Sequence, residues 1–145
     1  MAVVLDASAL LAYWLDEPGA SVVTAAVATE DAMVAAPNLA EALTKLVDRS
    51  PDFAKKLPTV SQTLAGETMF SLPGIPLAGG AISIEPFTIA DAVICAKLRP
   101  ATRHIGLSLG DRACLALAQR LGARALTADQ EWARLKLKIE IEVIR

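Results

Sequence analysis

The chain has one histidine, His104, and two cysteines, Cys95 and Cys114, in 145 residues. A histidine-based catalytic or zinc centre would have to rest on that single side chain. The cysteines show no CxxC spacing and sit in Ala/Leu-rich helical patterns, which suits buried thiols better than a metal site or a disulfide. Aromatic residues are only 4%, so Ala and Leu carry the apolar excess. Basic charge is also scarce. Against 14 Lys and Arg stand 16 Asp and Glu, a net charge of −2, so there is no global basic field of the kind nucleic-acid binders usually carry, and any such partner must be held locally. No uncharged apolar run reaches the roughly 18 residues that span a bilayer. The N-terminus has no basic stretch and Asp6 interrupts its apolar run, so no signal peptide is expected and the chain is placed in the cytoplasm. What is present is 54% apolar residues, enough for one core in one domain spanning residues 1–145.

Alternating apolar runs and helical periodicities organise the chain. Residues 2–5 read as a strand stopped at Asp6, with a helix through Trp14, a break at Glu17-Pro18-Gly19 and a helix over 20–29. A strand over 32–36 follows, then a helix from Pro37-Asn38 to about Val47 and further helical pattern over 52–72, interrupted at Pro58. Residues 73–80 are Pro/Gly loop, 81–85 alternate like a strand, and Thr88 to Arg99 is a helix stopped by Pro100. After a loop over 101–107, Ser108 to Leu121 is a helix ended by Gly122. A strand over 123–127, a helical turn over 129–135 and a strand over 138–144 complete the chain. The pattern predicts an α/β sandwich with a mostly parallel sheet, whose binding crevice lies at the carboxyl ends of the strands.

Four acids fall toward that edge: Asp6, Glu41, Asp111 and Asp129. Each also has a plain structural explanation. Asp6 suits a helix N-cap, as does Asp129, and Asp111 stands three residues after Ser108 at capping-box spacing. Glu41 can pair with Lys45 at i,i+4, the Leu39/Leu43/Leu46/Val47 stripe lying on the opposite side of that helix. Asp91 repeats the capping spacing after Thr88 and is read as a cap. Tyr13, Trp14 and Trp132 have spacings that suit core better than base stacking.

The combination of four acids on one edge points further. Clustered carboxylates repel one another unless a cation occupies the site. Oxygen-only donors favour a hard ion, Mg²⁺ or Mn²⁺, which accepts phosphate oxygens alongside one or two carboxylates. The matching substrate is a phosphodiester. Arg99, Arg103 and Arg112 are candidate phosphate contacts, solvated charges being the alternative.

These residues also carry a resemblance. Val3-Val4-Leu5-Asp6-Ala7-Ser8-Ala9-Leu10-Leu11, Asn38-Leu39-Ala40-Glu41, Leu107-Ser108-Leu109-Gly110-Asp111-Arg112-Ala113-Cys114-Leu115-Ala116-Leu117-Ala118, and Leu126-Thr127-Ala128-Asp129 followed by Trp132 resemble, in order, the motifs of PIN-domain ribonucleases, most of all VapC-type toxins. The resemblance implies a three-layer α/β/α fold and an acidic quartet, Asp6, Glu41, Asp111 and Asp129, that binds Mg²⁺ or Mn²⁺, with Ser8, Asn38 and Thr127 supporting it. It further implies endonucleolytic cleavage of RNA, a homodimer, and inhibition by a small antitoxin. Residues 63–85 align with no motif. Two other readings stand beside it. A haloacid-dehalogenase-like phosphatase would use Asp6 as nucleophile, although that family has a second Asp where this chain has Ser8. A PIN-like module could also bind RNA without cutting it.

Overall fold

A computed structural model describes residues 1–57 and 82–145. Five strands, β1 (Ala2–Leu5), β2 (Asp31–Ala35), β3 (Ser83–Glu85), β4 (Arg124–Thr127) and β5 (Ile141–Val143), form one sheet in the order β3-β2-β1-β4-β5, with every pairing parallel. β1 is central: Val4 pairs with Met33 of β2 on one side and Ala125 of β4 on the other. Covered on both faces, β1 has no polar side to show, which is why Val3, Val4 and Leu5 are all fully buried and the strand reads as a continuous apolar run.

Five helices flank the sheet among the described residues: α1 (Ala7–Leu15), α2 (Ala20–Thr29), α3 (Ala36–Arg49), α4 (Ile89–Thr102) and α5 (Leu109–Leu121). Val3 and Leu5 pack with α1, α2 and α3 on one face, while Val4 packs with α4, α5 and Trp132 on the other, giving three layers. Tyr13, Trp14 and Trp132 are all buried in this core, and Cys95 and Cys114 are buried free thiols. None of the described helices is long and apolar enough to cross a membrane.

The helix ends follow local chemistry. Thr88 and Asp91 form a reciprocal capping box at the start of α4, and Gly122 ends α5 at φ 63°. Several boundaries differ from expectation: β2 ends at Ala35, with Ala36 already in α3, α3 runs on to Arg49, and β3 starts only at Ser83. Pro100 does not stop α4, which runs on to Thr102 and into a 3-10 turn over Arg103–Ile105. In the last turn Pro100 deprives only the carbonyl of exposed Ala96, a small loss compared with a proline in mid-helix. β5 is shorter than the expected 138–144, because it pairs only with the short β4. Pro51–Lys56 is a 3-10 helix. The remaining helical pattern to residue 72, the loop over 73–80 and the expected start of the third strand at Ala81 lie outside the described residues.

Candidate active site

In a parallel sheet, a residue just past a strand lies at the carboxyl edge, and so does the first turn of a helix that leads into or out of a strand. Asp6 therefore follows β1 there, Asn38 lies in the first turn of α3 after β2 with Glu41 one turn further on, Asp111 lies in the first turn of α5 before β4, and Asp129 follows β4. The topology brings all four predicted acids to one edge.

Asp6 is 3% exposed. Its Oδ1 accepts the Ala9 N–H at 2.7 Å, which caps α1, and its Oδ2 accepts the Thr127 hydroxyl at 2.7 Å. Ser8 Oγ lies 2.8 and 2.9 Å from the two carboxylate oxygens and donates to them while accepting the Ala128 N–H at 2.8 Å. Burial pushes the Asp6 carboxyl up to about 6; Thr127, Ala9 and Ser8 pull it back down, and the charge of Asp111 adds to the rise. Ser8 stands where a phosphatase would carry its second Asp, and its hydroxyl is committed to Asp6.

Asp111 is three residues into the cap of α5. Its Oδ2 accepts the Ser108 N–H at 2.8 Å, and its own N–H donates to Ser108 Oγ at 3.1 Å. Glu41, half-buried on α3, has its carboxyl raised by burial and by Asp111, against a weaker pull from Lys45. Among the described residues Glu41 forms no salt bridge with Lys45; its Oε2 lies instead toward Gly110, 2.9 Å from where a Cβ would stand. Asn38 is fully buried and donates from Nδ2 to the Gly110 carbonyl at 3.0 Å, while its Oδ1 is buried without a partner. The inward face of α3 is Asn38, Ala42 and Leu46, rotated from the expected leucine stripe because α3 packs against α5 as well as α1. Sequence reasoning missed Gly110. The only signal was a glycine opening a helix otherwise rich in Ala and Leu.

Asp129 is exposed and caps a 3-10 turn over Gln130–Arg134 by accepting the Glu131 N–H at 2.9 Å. Its backbone N–H donates to Thr127 Oγ1 at 3.0 Å, so one hydroxyl connects it to Asp6. Of the three arginines, Arg112 donates to the Cys95 carbonyl at 2.9 Å and its Nε is buried unpaired. Arg99 makes a long contact of 3.4 Å to the Leu107 carbonyl, and Arg103 is exposed.

The capping alternatives thus hold for Asp6, Asp111 and Asp129, but capping does not account for burying Asp6 near another carboxylate. Among the described residues no three His, Cys, Asp or Glu gather closely enough to enclose an ion. A hydrated Mg²⁺ asks for less, one or two carboxylates plus its own waters. The donor set fits it: hard oxygens, two carboxyls made costly to ionise by burial and Asp111, and the orphaned Asn38 Oδ1.

The PIN-domain family model matches residues 3–138. The chain belongs to the PIN-domain family. No curated protein sequence matches it, but solved PIN structures share its fold. VapBC2 from Rickettsia felis, bound to a promoter DNA fragment, is 15% identical with a TM-score of 0.65, covering 99% of this chain and 98% of its own. DNA-bound VapBC from Salmonella typhimurium is 13% identical with a TM-score of 0.64, over 100% and 99%. Mycobacterium tuberculosis VapC20, described as a sarcin-ricin loop cleaving toxin, is 13% identical with a TM-score of 0.60, over 95% and 98%. At such identities the likeness is one of fold: the three-layer PIN architecture with a central parallel sheet.

Proposed function

We propose that this single PIN domain is a metal-dependent endoribonuclease and the toxin of a VapBC-like toxin–antitoxin pair. The observation that carries the reading is the buried Asp6 carboxylate, held by Ser8, Ala9 and Thr127 at the carboxyl edge of a PIN sheet, with its carboxyl raised chiefly by burial and to a smaller extent by the charge of Asp111. Asp6 and Asp111 are the principal ligands for Mg²⁺ or Mn²⁺, Glu41 is the next, and Asp129 stands at the rim. When bound, the cation would lower the pKa of a water and offset charge on the scissile phosphodiester. Ser8 and Thr127 fix both oxygens of Asp6 so that its lone pairs hold one direction. Arg103, which is exposed, and Arg99 are the proposed contacts for RNA phosphates, whereas Arg112 already spends one donor on α4.

The structural neighbours that are toxin–antitoxin complexes support a small antitoxin as partner. Ile89 and Val93, exposed one turn apart on α4, offer apolar surface that an antitoxin or the second copy of a homodimer would cover. Two buried free thiols suit the reducing cytoplasm.

The test is cleavage of a mixed RNA pool by antitoxin-free protein with Mg²⁺, Mn²⁺ or EDTA, beside Asp6→Asn and Asp111→Asn. The reading expects cutting by wild type only with metal, and none by either variant. RNA bound but never cut with any divalent ion would replace the nuclease with a binding module. Beryllofluoride trapped on Asp6 would replace it with a phosphatase.

A further inference from the structure

Gly110 is the second residue of α5, where helix propensity would favour Ala. Its surroundings explain the glycine. A Cβ there would lie 2.9 Å from Glu41 Oε2, 3.6 Å from Ser108 Oγ and 3.9 Å from Asn38 Nδ2. Carbon does not approach an oxygen at 2.9 Å without displacing it, so the absent methyl is the space the Glu41 carboxylate uses. The same residue is tied from below. Its carbonyl accepts the Asn38 amide at 3.0 Å, and Asn38, fully buried, cannot exchange that bond for water.

We propose that Gly110 is a positioning residue: held to α3 by Asn38, it leaves open the slot in which the Glu41 carboxylate rests against the first turn of α5, next to Asp111. Gly110 touches neither metal nor substrate; it acts through Glu41. The consequence for catalysis rests on the nuclease reading above, but the placement of Glu41 does not.

Gly110→Ala separates site from fold. The atom it meets is the far end of a flexible side chain, so Glu41 swings away rather than the backbone, and the new Ala favours the helix. The experiment combines thermal melting, Mn²⁺ titration calorimetry and a crystal structure of Gly110→Ala, with the titration repeated in a Glu41→Ala background. The expected results are a melting temperature no lower than wild type and a displaced Glu41 carboxylate. Mn²⁺ affinity should fall about tenfold with Glu41 present, the size of loss seen when support for a metal ligand is removed, and change little without it. An unmoved carboxylate overturns the proposal, as does an equal loss in both backgrounds, because a general helix defect acts whether or not Glu41 is there. If wild type takes up no Mn²⁺, the metal reading fails, and the crystal structure alone decides: a displaced Glu41 upholds the positioning role and an unmoved one overturns it.

Discussion

The hydroxyl of Thr127, the last residue of β4, donates to Asp6 Oδ2 at 2.7 Å and accepts the Asp129 N–H at 3.0 Å. This bond holds Asp6 in one orientation and lowers the cost of its charge. Thr127→Val keeps the shape but deletes both interactions. It should cost about 1–3 kcal/mol at pH 7, measured by urea denaturation, and move the acid limb of RNA cleavage to higher pH because Asp6 then holds its proton more tightly. Thr127→Ser should restore both. An unshifted pH profile in the valine variant would count against this role.

Asp6 also sets a pH dependence of stability. Its folded-state value of about 6 lies above its ordinary 3.8, so the folded protein binds the proton more tightly than the unfolded chain. Stability therefore falls as pH rises from about 4 to about 6 and levels off above, a loss of about 3 kcal/mol for a shift of roughly two units. Asp6→Asn removes this component. Melting curves from pH 4 to 8 should show the variant gaining on wild type as pH rises, whereas parallel curves would show that Asp6 is not strained.

Divalent cation should act in the opposite sense. Above pH 6, Mg²⁺ or Mn²⁺ should raise the melting temperature of wild type, since a ligand that binds only the folded state stabilises it. The rise should vanish in Asp6→Asn. Chelation by EDTA should return wild type to its metal-free value, and an equal rise in the variant would place the cation elsewhere.

Asp91 provides the contrast. Burial would raise its carboxyl, but the hydrogen bonds from Arg120 and Thr88 outweigh this and hold it below the ordinary range. Arg120 Nε donates to it at 2.8 Å on the layer facing away from α1. Its stabilising contribution is present above the usual carboxylate range and is lost as pH falls through the depressed value. Asp91→Ala should cost about 1–3 kcal/mol by losing a cap and a charge-assisted bond. RNA cleavage per folded molecule should not change, and a loss of rate at full folding would draw Asp91 into the site.

Much of this was legible in the sequence because the signals are local. Ala2-Val3-Val4-Leu5 announced a strand ending at Asp6, Thr88 with Asp91 announced a cap, and Gly122 announced a helix end. The order of strands and helices placed the acids on one edge. What local pattern cannot carry is the reason a residue faces a distant one. Asn38 and Ala42 turn inward because α5 lies beside α3, and Gly110 is small because of a side chain from position 41. Arg112 meets the Cys95 carbonyl seventeen positions away. Pro100 misled because a proline's cost depends on which carbonyl it orphans, and here that carbonyl belongs to exposed Ala96 while the proline itself stands in the last turn. The cap is real but does not explain the burial of Asp6: one oxygen caps α1, and the carboxylate is buried within electrostatic reach of Asp111.

In the proposed site the Asp6 and Asp111 carboxylates together hold the cation. Mn²⁺ binding isotherms of wild type, Asp6→Asn, Asp111→Asn and Asp129→Asn test it most directly. Each substitution preserves size while removing one charge. The account predicts saturable binding by wild type, loss of most of that affinity in the Asp6 and Asp111 variants, and a change within about tenfold in the Asp129 variant, whose carboxylate is exposed and engaged in its own cap. Wild type that binds no Mn²⁺, or Asp6 and Asp111 variants that bind as tightly as wild type, would contradict it.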